Sequence, residues 1–168
     1  MLAVLIRHPA VQVARGTCYG RLDPDVHSDA AADMARIAAA IAGVACRVWT
    51  SPARRCRGIA GRDAIIDDRL RELDFGAWEG QRWDDLPRDA LDRWAAAPED
   101  VAPPGGETGA ALLARVGAFH AALRARGEDC VVVSHGGPLK LLAALLRGAA
   151  PDLLAAPPPL GSITRIAY

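Results

Sequence analysis

Two histidines stand where buried strands should end. His8 follows Leu2-Ala3-Val4-Leu5-Ile6-Arg7, and His135 follows Cys130-Val131-Val132-Val133-Ser134. A short continuous apolar run reads as a strand covered on both faces. Open α/β sheets place their ligands at strand carboxyl ends. A third such end lies after Val44–Thr50, where Ser51-Pro52 reads as a helix start and Arg54, Arg55 and Arg57 fall in the first turns. Free N–H groups at a helix start attract anions, and the guanidinium fork matches phosphate oxygens. Histidines with several arginines, and no cysteine or carboxylate cluster, point to phosphoryl chemistry. A neutral imidazole can attack phosphorus. Arginines spread the charge on the transferring oxygens. A carboxylic acid must then protonate the leaving alkoxide and activate water.

These groups converge only if their elements do. Pro9 stops the first strand and biases His8 toward an extended conformation. Ala10–His27 has no periodicity and reads as a long irregular loop, with Tyr19, Gly20 and Arg21 inside it. Ser28 is an N-cap candidate for a helix over 29–42 with Met34, Ile37, Ala38 and Ile41 on one face, ended by Gly43. That helix joins two strands as a βαβ unit, which predicts parallel pairing. Residues 67–80 read as a structured loop and 83–97 as short helices interrupted by Pro87. A Pro/Gly-rich loop follows over 98–106. Glu107 or Thr108 opens a long helix with the stripe Leu112, Val116, Phe119 and Leu123, and His120 beside it reads as a packing residue. Leu139, Leu142, Ala143 and Leu146 predict another helix, stopped by Gly148 and Pro151. Pro157-Pro158-Pro159 is a rigid connector to a last strand over 162–168.

The 168 residues fit one domain over 1–168 and bury a real core. The formal net charge is +0, which removes the electrostatic case for nucleic acid or an anionic membrane, so any basic site is a local cluster suited to a small anion. Cys18, Cys46, Cys56 and Cys130 show neither CxxC pairing nor metal-ligand spacing. They are expected to be reduced, in a cytoplasmic protein without signal peptide or membrane span. No metal and no cofactor are expected, and a homodimer is left open.

Five motifs in order make a resemblance: Ile6-Arg7-His8, Thr50-Ser51-Pro52-Ala53-Arg54-Arg55-Cys56, Leu70 to Gly80, Pro104 to Thr108, and Ser134-His135-Gly136-Gly137. Together they resemble the histidine phosphatases of the phosphoglycerate mutase-like superfamily over essentially the whole chain. The resemblance implies an α/β, three-layer αβα sandwich with a mostly parallel central sheet. It also implies hydrolysis of a small-molecule phosphomonoester through a phosphohistidine. On it, His8 is the nucleophile, Arg7 and Arg55 hold the phosphoryl oxygens, His135 hydrogen-bonds them, and Glu72 is the proton donor. Glu79, Asp74 and Glu107 compete for the acid role. Glu79 reads as a loop anchor and Glu107 as a helix-start residue binding backbone N–H groups. Arg54 aligns with a variable position.

Cys18 to Asp23, Arg55-Cys56 and Trp78 to Trp83 are similar to the α-ribazole phosphatases of cobalamin biosynthesis. That likeness adds Arg21 as a substrate contact and Tyr19 as a residue flanking a base or ribose. Alternatives are a broad-specificity small-molecule phosphatase, a phosphoglycerate-type mutase and a non-catalytic phosphate-binding protein. The chain lacks the long insertions that close mutase pockets, and intact Arg7, His8, Arg55, Glu72 and His135 speak against an inactive relative. The sequence departs from the family pattern at Pro9, where glycine is common, and at Ala10, Val11, Ala53, Ile59 and Lys140, where arginine is common. The proline should cost one backbone contact beside the nucleophile.

Overall fold

The computed structural model describes residues 1–168. Five strands form one sheet: β1 Leu2–Arg7, β2 Arg47–Thr50, β3 Ile65–Ile66, β4 Cys130–Ser134 and β5 Ile163–Ala167, in the order β3-β2-β4-β1-β5. β1 to β4 run parallel, and β5 lies antiparallel along β1. Five helices complete the fold: α1 Ala31–Ile41, α2 Arg54–Ala60, α3 Arg88–Ala96, α4 Gly109–Arg126 and α5 Gly136–Leu146. The chain is therefore an α/β fold with a mixed, mostly parallel sheet between helical layers.

Strand alternation sorts the apolar runs onto two faces. Val4, Ile6, Val131 and Val133 meet Ile37, Cys56 and Ile59 of α1 and α2. Ala3, Leu5, Cys130 and Val132 meet Leu112, Val116, Phe119, Leu139 and Leu142 of α4 and α5. Each fully buried aliphatic side chain contributes about 1.5–3 kcal/mol, so the two central strands, β1 and β4, are the best secured. These are the strands that end in the two histidines. No helix is long and apolar enough to cross a membrane.

Several sequence expectations change in detail. β1 and β2 are parallel but not neighbours, because β4 lies between them and pairs with both. β4 thereby brings His135 between the other two strand ends. The first helix opens with a 3-10 turn, Ser28–Ala30, and its cap is the His27 side chain accepting from the Asp29 N–H rather than Ser28. β2 starts at Arg47, later than the apolar run predicts, and the two-residue β3 was not anticipated. The long helix begins as expected, with the Thr108 hydroxyl accepting from the Ala111 N–H.

Candidate active site

His8 is 1% exposed at the end of β1. Its Nδ1 lies 2.7 Å from the Pro9 carbonyl oxygen. A carbonyl only accepts, so Nδ1 carries the proton and Nε2 of the neutral ring keeps its lone pair. Pro9 therefore supplies the contact that orients the ring. That contact uses the carbonyl and so does not depend on the N–H that proline lacks. Burial, reinforced by the Arg55 charge, lowers the His8 pKa to about 3, so the imidazole is the free base at neutral pH.

His135 meets the His8 ring edge-on, with centroids 5.2 Å apart at 68°. Its Nδ1 lies 3.1 Å from Arg55 Nη2, which can only donate, and its Nε2 lies 2.7 Å from Ser51 Oγ. The proton is thus on Nε2, the opposite tautomer to His8. Burial and the Arg55 charge hold its pKa well below the ordinary value. Both ring nitrogens have protein partners, and through Nδ1 the ring braces Arg55.

Arg55 is buried and extensively held. Nη1 donates to the Leu22 carbonyl at 2.7 Å and Asp23 Oδ1 at 3.0 Å, and Nη2 donates to the Gly20 carbonyl at 2.7 Å. With His135 these partners use all four Nη hydrogens, and Nε–H is left buried without a partner. Asp23 also accepts from the Arg54 N–H at 2.6 Å, so this loop carboxylate caps α2. Ser51, expected to cap it, reaches only the Ala53 N–H just before the helix, at 3.3 Å, and its hydroxyl also meets His135. Arg7 extends from β1 and donates through Nη1 to the Pro158 carbonyl at 2.5 Å, while its Nε is also buried and unpartnered. An unmade hydrogen bond at a buried donor costs about 1–3 kcal/mol. Both guanidiniums thus keep an unused donor, and both side chains line the cavity that the free-base imidazole lines.

Arg7, His8, Arg55, Glu72 and Tyr19 line one cavity of about 370 Å³. The Glu72 carboxylate is held by the Leu73 N–H at 3.0 Å and by the Gly137 N–H, at the start of α5, at 3.2 Å. A Cβ on Gly137 would sit 2.3 Å from Glu72 Oε1, so only glycine lets helix and acid approach this closely. The competing acids are committed elsewhere. Glu79 accepts from the N–H groups of Arg21, Leu22 and Phe75, as expected of a loop anchor. Glu107 pairs chiefly with Arg115, Nε to Oε1 at 2.7 Å, rather than with backbone alone. Asp74 accepts from the Gly76 N–H at 2.9 Å.

Tyr19 packs its ring 5.6 Å from the Arg55 guanidinium carbon. Arg21 does not line the main cavity. Its guanidinium faces Glu107 at 3.6 Å beside a smaller recess that also holds Asp23, Ser51 and His135.

Sequence reasoning missed the apolar half of the cavity. Phe75, Trp83 and Trp94 form one wall, with Phe75 edge-on to both tryptophans at 5.3 and 6.0 Å. Leu112, Leu153, Leu154 and Pro157 face it, and Lys140 lies among them. Arg115 was missed too. It donates to the carbonyls of Arg69, Arg71 and Glu72, at 2.8, 2.6 and 3.0 Å, and so fixes the backbone that carries the acid. A lone arginine in the middle of a helix gives no sequence signal of that role.

Comparison with known proteins gives a family. The pattern of the histidine phosphatase superfamily (branch 1) matches residues 3–168. The crystal structure of the α-ribazole phosphatase from Shigella flexneri superposes with a TM-score of 0.88 at 25% identity, covering 99% of this chain and 90% of that one. A bifunctional protein of Mycobacterium tuberculosis is 32% identical over 166 residues, covering 90% of this chain and 45% of that protein. The chain thus spans about half the length of such curated relatives. Phosphoserine phosphatase 1 of Hydrogenobacter thermophilus is 34% identical over 92 residues, covering 51% of this chain and 43% of that enzyme.

Proposed function

Because the chain belongs to the histidine phosphatase superfamily, branch 1, we propose that it hydrolyses phosphomonoesters through a phosphohistidine formed on His8. The observation that carries this reading is the convergence of Arg7, Arg55, Glu72 and a free-base His8, its Nδ1 already committed, on one cavity. The arginines hold the phosphoryl oxygens and stabilise the charge that grows on them during transfer. His8 Nε2 attacks phosphorus, the N–P bond forms, and the P–O bond to the alcohol breaks. Glu72 gives its proton to the departing alkoxide. As carboxylate it then takes a proton from water, whose oxygen attacks phosphorus, releasing phosphate and free His8. His135 and Asp23 act through Arg55, as positioning residues. Tyr19 bounds the cavity, and Arg21 serves the loop rather than the phosphate.

The substrate we propose is α-ribazole 5′-phosphate. The likeness to the Shigella enzyme supports it, as does the wall of Phe75, Trp83 and Trp94, which suits a flat apolar base. The partial similarity to a phosphoserine phosphatase favours a second reading, a phosphatase of broader small-molecule range. The deciding experiment is kcat/KM for α-ribazole 5′-phosphate beside phosphoserine, phosphoglycerates, sugar phosphates and p-nitrophenyl phosphate. A preference above about a hundredfold, roughly 2.7 kcal/mol of transition-state discrimination, supports the α-ribazole assignment. A flat profile that vanishes in His8→Ala supports the broader one.

A further inference from the structure

One wall of the cavity is a strap, residues 149–161, tied to the rest of the fold chiefly by side chains that reach its carbonyls. Between Pro151 and Leu160 its backbone N–H groups bond to nothing outside the segment. Its carbonyls are taken at its end, where Arg36 donates to Gly161 and the Ser162 N–H to Pro159, and at three points further in. Lys140 Nζ donates to Leu153 and Ala155, and Arg7 donates to Pro158. Packing does not hold it down along its inner side, where a second cavity of about 500 Å³ separates Ala149, Asp152, Ala155 and Pro158 from Leu139 and Ala143 of α5. Lys140 stands on α5 between the two cavities and lines both. The part of the strap it grips is the part that faces the site. Leu153 packs into the space left by the absent side chain of Gly109. Leu154 is 69% exposed and lines the cavity together with Phe75, Trp83 and Trp94. Hydrogen bonds from an ammonium are stronger than neutral ones, and two from one nitrogen fix a turn in place.

Resting on the phosphatase reading, we propose that Lys140 is a specificity-positioning residue: by gripping the carbonyls on either side of Leu154 it holds the Leu153-Leu154 turn against the cavity, and so selects phosphomonoesters whose alcohol carries an apolar ring. Arg7 ties the same strap at Pro158, so the wall for the alcohol and a ligand for the phosphoryl group share one support.

The test compares 1-naphthyl phosphate with glycerol 1-phosphate in wild type, Lys140→Ala, Lys140→Arg and Leu154→Ala. In Lys140→Ala the ratio of the two kcat/KM values falls about tenfold, through KM for the naphthyl ester. Lys140→Arg restores most of the ratio, and the exposed Leu154→Ala lowers it in the same direction. A ratio within about twofold of wild type in Lys140→Ala overturns the proposal, because a lost charge or a loosened fold penalises both esters alike. Calorimetric binding to His8→Ala, with and without Lys140→Ala, separates this from the mechanism. Weaker 1-naphthyl phosphate with unchanged inorganic phosphate supports the role of Lys140 even if turnover does not depend on His8. Equal weakening of both ligands refutes it.

Discussion

The two histidines carry opposite tautomers because their neighbours allow nothing else. The Pro9 carbonyl accepts a hydrogen bond from His8 Nδ1–H, and His135 Nδ1 accepts one from Arg55 Nη2–H. One ring is left with a free Nε2 and the other becomes a brace, although the sequence presents them alike. Glu72 is the carboxylate among the four candidates that lines the cavity. Glu72→Gln should therefore slow alkyl phosphates by about 10²- to 10⁴-fold. Aryl esters, whose phenolate leaves without a proton, should lose much less in formation of the intermediate. Single-turnover rates with p-nitrophenyl phosphate and glycerol 1-phosphate check this. Equal losses would assign the acid to another group.

At the scale of elements, the site depends on close approaches of backbone. The start of α5 must come near enough for the Gly137 N–H to reach Glu72. Gly76, at φ +52°, lets the acid loop meet the Pro104 carbonyl, 2.2 Å from where a Cβ would stand. Gly137→Ala should displace the Glu72 carboxylate and cost about tenfold or more in kcat/KM for alkyl phosphates. The urea midpoint should fall little, because the displaced group is the end of a partly exposed side chain. A variant with wild-type rates would show that this contact does not position the acid. Strand ends, helix stripes and the Thr108 cap were legible in sequence because each is set by residues a few positions apart. The Asp23 cap on α2, the Lys140 grip on the strap and the Arg115 support under Glu72 were not, because their partners lie 13 to 46 positions away. The order of the sheet was hidden for the same reason: β4 enters between β1 and β2 from far along the chain.

For the whole molecule, a buried free-base histidine ties stability to pH. An unfolded imidazole takes its proton near pH 6.5, whereas folded His8 does so only at about 3. Between those values the unfolded chain binds more protons, so stability rises with pH. The contribution is full above about 6.5, is lost progressively as pH falls, and levels off below about 3. The slope is about 1.4 kcal/mol per pH unit for each such imidazole, and His135, shifted in the same direction, adds its own. Urea unfolding of wild type and His8→Asn between pH 7 and pH 4 checks this. The variant should show a shallower dependence by about one proton, and identical slopes would contradict the burial of a neutral His8. The apolar runs that build β1 and β4 thus do two things. They secure the centre of the sheet, and they keep water from charging the imidazoles at its edge.

The most direct test of the account is rapid acid-free quenching of the enzyme during turnover of a ³²P-labelled phosphomonoester, followed by peptide mapping. The account predicts label on His8, stable to base and lost in acid, formed before phosphate release and absent from an inactive His8→Ala. Turnover that survives in His8→Ala, or label on any other residue, would contradict it.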